Sequence, residues 1–584
     1  MVTVAPVARQ YHAATAHSPQ SVRASDHTLD WDNKPFPFKV YTELPALHLP
    51  HEVDVLTTPT LAAIAGEGAS PPAALTLGAL TSLLYYMAGV TRHKTYPGGG
   101  EVLFRAAAST GALYQTEVYV VAGAVEGLAP GVYHFCPGDF TLRRLRADDA
   151  RGVLAEAAAD DTPATRAATL VLTGIVWRNS WKYRARTYRH LFWDGGTMLA
   201  NALAVGAALG LAPRLHTGFV DAAVHRLLGI DGAHEVALAL LAVGPQTPAA
   251  ARHEAPAPID HATLPLSRHV VDEPLVAAAH AASSLAAPED AARWRRGGAP
   301  TSPPKADKLV ALPPPDPRQS RALGETIQRR GSTRRFAHTP IGVDELSAAL
   351  WAASRPVPAD VPSGLVDIYM SVHAVDGLTP GTYLYRPDAH ALEPLAAGDF
   401  RRQAAFLTLE QSLGGDAAVT LFFLSPLDAV LSEFGERGYR LVNLEAGLAG
   451  GRAYLAAYAG RYGASGLTFY DAEVVRFFSP RAAGADALFV TALGRSEGGN
   501  PDMLGLTTIT RSPADSVLAT AASIAPVPVH AGVRTSCRVW TSRLSPARIS
   551  SNSAAYSGVR WWMIGRAIAS STSLGTGVGP GAIS

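Results

Sequence analysis

The sequence predicts one folded domain present twice, each copy combining strands with helices, and three observations predict it. The chain of 584 residues repeats itself at an offset of about 250. It is 48% hydrophobic and 17% charged, against ~25% charged residues in ordinary domains, which leaves apolar material for more than one core. A proline-dense stretch separates the copies: 14 prolines fall in residues 245–318, far above the ~5% background.

The elements follow in chain order. Residues 1–40 form an N-terminal extension without the apolar run of a signal peptide. In it, His12 of Tyr11-His12-Ala-Ala-Thr15 is isolated and reads as a packing contact. The first domain spans 41–245. Its two long uncharged stretches, 70–91 and 195–213, are interrupted by Pro71-Pro72 and by Asn201 and glycines. Both read as buried helices, not membrane spans. VEGLAPGVYHFCP at 125–137 returns as VDGLTPGTYLYRP at 375–387, and each copy reads as strand, Pro-Gly turn, strand. Arg186-Thr-Tyr188-Arg189 matches Arg437-Gly-Tyr439-Arg440, and Asp194-Gly-Gly matches Glu445-Ala-Gly447. A small-residue helix suited to close packing follows each. FVDAAVHRLL at 219–228 then matches FYDAEVVRFF at 469–478. Residues 246–318 read as a Pro/Ala-rich linker with helical pieces. The second domain spans 319–503. Residues 504–584 hold one acidic residue, Asp515, and seven arginines, and read as a disordered tail.

Composition also excludes. Net charge is +1, from 50 Lys/Arg against 49 Asp/Glu, which argues against a general nucleic-acid binder. Cys136 and Cys537 cannot build a zinc ribbon or a disulfide framework, so no metal is assigned and the chain reads as intracellular, in the cytoplasm.

Three clusters carry candidate chemistry. Arg330, Ser332 and Arg334 form an Arg-x-Ser-x-Arg pattern. Guanidinium forks and a hydroxyl suit a phosphate, the more so if the segment starts a helix; a solvated basic patch is the alternative. Lys182 beside Tyr183 suits an acid–base pair, because an ammonium stabilises phenolate; structural tyrosines in a basic strip are the alternative. Ser109-Thr110-Gly111 lets backbone approach a flat ligand before the strand VYVVAG, or is a plain turn. No His-Glu-x-x-His, phosphate-binding P-loop or nucleophile elbow is present.

Together these pieces resemble the nitroreductase-like flavoenzymes, and within them the SagB/ThcOx-type dehydrogenases. The resemblance is carried by LDWDNKPFPFKVY at 29–41, LTLGALTSLLYYMAGVTR at 75–92, FRAAASTGALYQTEVYVV at 104–121 and WKYRARTYRHLFWDGG at 181–196. It is carried too by HTGFVDAAVHRLLGID at 216–231, RRGSTRRFAHTPIGVDELSAALW and FGERGYRLVNLEAG. It covers about residues 10–245 and 320–500. It implies an α+β fold, a mixed sheet flanked by helices, with two domains forming an intramolecular pseudo-dimer and FMN at the interface. It implies that Arg330, Ser332 and Arg334 hold the FMN phosphate and ribityl chain, joined by Arg495. Ser109, Thr110 and Gly111 take the partner side of the flavin, and Thr217 and Gly218 the loop near flavin N5. It implies oxidation of azolines to azoles in ribosomally made peptides, with Lys182 and Tyr183 catalytic and a cyclodehydratase as a possible complex partner.

The departures are complementary. The first copy has the bland LTTPTLAAIAGEG in place of Arg-x-Ser-x-Arg, and Ala108 where the family has Pro. The second has Glu433-Phe434 in place of Lys-Tyr and a shortened loop at Pro362-Ser363-Gly364. One reading is a composite FMN site, with the phosphate grip from the second copy and the Lys-Tyr pair and Ser-Thr-Gly loop from the first; the other is that both copies have drifted and the flavin is lost. The alternatives are a general flavin oxidoreductase of small molecules and a catalytically silent peptide-binding scaffold.

Overall fold

The computed structural model describes residues 5–95, 101–254, 256–298 and 308–497. The stretch 504–584, read as a tail, lies outside the described residues.

Each copy is built on a seven-stranded sheet. The first contains β1 (Ala46–His48), β2 (Thr116–Ala122), β3 (Gly131–Cys136), β4 (Thr141–Ala147), β5 (Arg166–Ile175), β6 (Arg214–His216) and β7 (Glu235–Gln246), in the order 1-4-3-2-5-7-6. The second contains β8 (Val310–Ala311), β9 (Asp367–Val372), β10 (Gly381–Arg386), β11 (Ala391–Ala397), β12 (Val419–Ser425), β13 (Gly463–Gly466) and β14 (Asp486–Gly494). Its order, 8-11-10-9-12-14-13, is the first order repeated. Strands β2 and β12 are buried at every position, which is why they read as runs of Val, Tyr, Phe and Leu without alternation.

The class is α+β, and every pairing inside the two large sheets is antiparallel. Parallel pairing occurs in two short ladders outside them and in the isolated bridges Leu215–Ala359 and Val220–Leu285. The hairpin reading is corrected. Val125–Glu126 pairs in parallel with Leu75–Thr76, and the true hairpin partner of β3 is β2, with Ala122 opposite Gly131. Gly127, at φ 84°, turns the chain too sharply for residues 125–126 to run back along β3. The second copy repeats the arrangement, with Gly377 at φ 86° and Val372 opposite Gly381.

Nine helices position the site: α1 (Val7–Ala14), α2 (Val176–Tyr183), α3 (Thr187–Ala208), α4 (Asp221–Leu228), α5 (Pro288–Trp294), α6 (Leu323–Arg329), α7 (Leu427–Phe434), α8 (Gly438–Ala459) and α9 (Asp471–Phe478). The long helices α3 and α8 join the copies, backbone against backbone. A β-carbon on Gly196 would lie 2.3 Å from the Leu444 carbonyl oxygen, and one on Gly447 would lie 2.2 Å from that of Trp193. The small residues read from sequence serve this crossing.

Reciprocal ion clusters fix its register. Asp471 of α9 accepts from Arg186 at 3.1 Å and Arg189 at 2.6 Å, both from the first copy. Asp221 of α4 accepts from Arg437 and Arg440 of the second copy, each at 2.6 Å. All six side chains are buried. Burial alone would raise each carboxyl, but the paired arginines outweigh it and hold both below the ordinary range. Removing one partner of such a buried pair strands the other, so the clusters dictate which surfaces meet.

The flanking segments are woven in. In α1, the amides of Val7 and Ala8 donate to Glu436, and Tyr11 packs edge-on between Tyr188 and Tyr439. His12 contacts Tyr439 and Asp486, and burial first and Arg189 second lower its basicity. The stretch between the copies pairs Thr263 with Tyr41 and supplies β8 as an edge of the second sheet. No helix among the described residues is long and apolar enough to cross a membrane.

Candidate functional site

Arg330 stands where α6 has already ended. The Arg-x-Ser-x-Arg segment therefore does not open a helix: Arg330 is extended at ψ 131° and caps the C-terminal end of α6. Gly331, Ser332 and Thr333 are poor helix formers, and the segment instead runs beside β13, with the Thr333 amide bonded to the Ala464 carbonyl. The buried Arg330 guanidinium crosses to the first copy. Its Nε donates to Ala106 O at 2.8 Å, and its Nη2 to Arg105 O at 3.0 Å and Ala107 O at 3.2 Å. Ser332 Oγ lies 3.4 Å from the Tyr454 hydroxyl, which accepts from the Gly466 amide. Arg334 is exposed.

Sequence reasoning missed Arg92, on the first copy's Val90–Thr95 strand. Burial, then Arg330 and Arg334, push it below the usual guanidinium range. A β-carbon on Gly331 would sit 3.4 Å from its Nη2. Among the described residues no carboxylate pairs with Arg92, Arg330 or Arg334. Guanidiniums from both copies gathered without an anion suit a phosphate. Arg495 differs: it donates to Glu345 Oε2 at 2.7 Å, so its charge is already matched.

The Ser-Thr-Gly loop continues from the carbonyls that Arg330 holds. The buried Asp194 of α3 gathers it: Ser109 Oγ donates at 2.5 Å, Thr110 N at 2.9 Å and Thr110 Oγ1 at 2.7 Å. Gly111, at φ 65°, faces Tyr183 so closely that a β-carbon there would lie 2.7 Å from the phenol oxygen. Tyr183 is half-buried at the end of α2, its ring edge-on to His190 at 4.6 Å, and the Lys182 Nζ lies 5.1 Å from its ring centre. The turn after Tyr183 is strained. Arg184 adopts φ 50°, ψ −143°, whereas the second copy uses Gly435 at φ 60°, ψ −162° for the same turn. The structure thus brings Lys182, Tyr183 and residues 109–111 together, beside the loop that Arg330 clasps.

Thr217 and Gly218 are not part of that group. Asp360, from the second copy, accepts from Thr217 N at 3.0 Å, Thr217 Oγ1 at 3.1 Å and Gly218 N at 2.9 Å. Trp294 of α5 lies over Gly218, where a β-carbon would meet its ring at 2.7 Å, and its Nε1 donates to Phe434 O at 2.8 Å. The remaining cavity, lined by Thr217, Trp294 and Arg437, is about 10 Å³, at most a water's worth. Thr217 and Gly218, expected at the loop near flavin N5, thus lie against Asp360 and Trp294, apart from the 109–111 group, in the pseudo-symmetric twin that the chain itself fills. Their counterparts at the 250-residue offset are Leu467 and Thr468. These follow the Gly466 that is linked through Tyr454 to Ser332, and the repeat carried that signal. His17 lies 3.4 Å from Thr468 Oγ1, its basicity pushed down to about 3 by burial and Arg186.

One buried group has metal-ligating residue types, Asp221 with His225 and His280. Both Asp221 oxygens are taken by arginines, whose charges oppose a cation.

Fold and site define a duplicated α+β protein in which arginines of both copies gather beside a loop that faces Tyr183. The Nitroreductase family model matches residues 73–245 and 327–486, more than half of the chain. Two proteins that bear the name "putative nitroreductase" are similar to it. MJ1384 of Methanocaldococcus jannaschii is 27% identical over 161 residues, 26% of this chain and 81% of that protein. The crystal structure from Anabaena variabilis superposes with a TM-score of 0.68 at 27% identity, covering 84% of this chain and all of the other, so the likeness spans both copies. The chain belongs to the nitroreductase family, a family of flavin-binding oxidoreductases.

Proposed function

We propose that the chain is an FMN-dependent oxidoreductase with a single composite site, acting as a dehydrogenase that converts azolines to azoles in ribosomally made peptides. The observation that carries this reading is that the first copy's Tyr183 meets Gly111 on the loop whose preceding carbonyls are clasped by Arg330 of the second copy. Neither copy has both parts.

Arg92, Arg330 and Arg334 would hold the phosphate, with Ser332 beside them. The 109–111 loop would bound the isoalloxazine side, and Arg495, paired with Glu345, would support the fold of that end. FMN, when bound, supplies the two-electron acceptor. Aromatising an azoline removes a hydride and a proton, and the proton needs a base. Tyr183 is that base. To take the proton it must stand as the phenolate, whose negative charge the Lys182 ammonium near the ring offsets until proton uptake neutralises it. The buried surroundings of Lys182 keep water from competing for the proton. The fit to a peptide substrate and to a cyclodehydratase partner rests on the Lys-Tyr pair.

The reading is tested by incubating purified protein with a synthetic thiazoline peptide and FMN and following azole formation by mass, as a loss of two hydrogens. Azole formation that vanishes in Tyr183→Phe supports it. A flavin-loaded protein that leaves azolines intact but reduces nitroaromatics would replace it with general small-molecule reduction.

A further inference from the structure

On α3 a buried carboxylate stands without a cation. Asp194 is 5% exposed, and no Lys or Arg among the described residues pairs with it. Its partners are neutral donors: Ser109 Oγ, Thr110 N, Thr110 Oγ1 and, at 2.6 Å, Gln115 Nε2. An unpaired charge is costly to bury, and burial pushes the carboxyl up to about 6 against the hydrogen bonds from Ser109, Thr110 and Gln115. The chain keeps it nonetheless, and a partly buried carboxyl, with Arg452 near it, recurs in the second copy. At the matching place on α8, Glu445 accepts from the amides of Gly364 and Leu365, each at 2.8 Å.

The two anchored loops do different work. The second copy's loop carries Asp360 into the filled twin. The first copy's loop follows the carbonyls of residues 105–107, held by Arg330, and presents Gly111 to the Tyr183 hydroxyl. Only an acceptor-only group can take every one of these donors at once. An asparagine of the same shape would turn an NH2 donor onto a donor.

We propose that Asp194 is a positioning residue of the composite site, fixing the 109–111 loop in the shape that sets Gly111 against Tyr183 and keeps the flavin face formed. Glu445 is its structural twin, and its loop serves only packing. The proposal rests on the composite FMN site proposed above.

The test compares Asp194→Asn with Glu445→Gln in the full-length protein. Three readouts are used: amide hydrogen exchange at Thr110 and at Gly364 and Leu365, FMN affinity by fluorescence titration, and the visible spectrum of bound FMN. Asp194→Asn is expected to lose Thr110 protection, weaken FMN by roughly tenfold or more, as for a hydrogen bond to a charged group, and shift the flavin bands. Glu445→Gln is expected to lose protection at Gly364 and Leu365 while FMN affinity and spectrum stay as in the wild type. Wild-type affinity and spectrum in Asp194→Asn, or equal changes in Glu445→Gln, would overturn the proposal and leave the composite site standing. A wild-type protein that binds no FMN would overturn both. If Asp194→Asn does not fold, Gln115→Ala keeps the carboxylate but removes one donor. It should then show the same changes in weaker form, and an unaltered titration and spectrum would overturn the role.

Discussion

The Nε of Arg330 donates to the carbonyl oxygen of Ala106 at 2.8 Å, so an arginine of the second copy holds the loop that the first copy carries. Phosphate grip and flavin wall are therefore one mechanical unit, and their losses separate by substitution. Arg334→Ala removes charge alone, and Arg92→Ala removes charge together with its contact over the Phe104 ring. Each should weaken FMN tenfold to hundredfold, from a contact worth ~1.5–3 kcal/mol. Arg330→Ala also frees the loop and should weaken it further. Fluorescence titration orders the three, and full flavin retention in all of them would remove the phosphate assignment.

Lys182→Ala and Tyr183→Phe should keep FMN but cut azoline oxidation by ~10²–10⁴-fold, the usual worth of a positioned base. Glu433→Ala, at the second copy's equivalent of Lys182, should leave turnover unchanged. Flavin-replete Lys182 and Tyr183 variants with normal turnover would exclude the pair from the chemistry.

Trp294 and Phe434 fill the twin, and their rings lie 5.6 Å apart. Trp294→Ala or Phe434→Ala should cost ~3–5 kcal/mol, as large-to-small changes in cores do, and lower the melting temperature without altering the flavin spectrum. A changed spectrum would mean that the filled twin communicates with the site.

Stability should depend on pH in two opposed ways. Asp221 and Asp471 are held below the ordinary 3.8, so their contribution is present above that value and is lost as pH falls through the lower, folded-state range. Asp471→Asn should cost ~3–5 kcal/mol at neutral pH by stranding Arg186 and Arg189, and should flatten the acid limb. Glu445 is raised by burial from 4.5 to about 7. The folded state keeps its proton where the unfolded state loses it, so stability falls as pH rises through that window. Glu445→Gln should lessen this slope, Asp194, raised to about 6, supplying the rest, and urea titrations between pH 4 and 8 would show it.

The duplication was legible because the repeat preserves residues whose places matter. Arg186 and Arg189 recur as Arg437 and Arg440, and the structure shows each pair clamping an aspartate of the other copy. Lys182-Tyr183 and Ser109-Thr110-Gly111 stood out as local clusters, but that Tyr183 meets Gly111 appears only in the fold. Arg92 did not stand out, because nothing around it on its strand marks it; only the fold carries it to Arg330. Where Thr217 and Gly218 lie was not legible, because sequence does not tell which of two pseudo-symmetric places a loop serves. The answer depends on Asp360 and Trp294, distant residues whose roles appear only when the chain is folded. The segment from Arg330 starts no helix for a local reason, since Gly331-Ser332-Thr333 are poor helix formers after the end of α6.

The most direct measurement is the ratio of FMN to protein chain in the purified, FMN-saturated protein, from flavin absorbance after denaturation and amino-acid analysis. One composite site beside a twin filled by Trp294 and Asp360 gives a ratio of one, falling toward zero in Arg334→Ala. A ratio of two would show the twin to be open, and a ratio of zero would show that the cluster of Arg92, Arg330 and Arg334 serves something other than flavin.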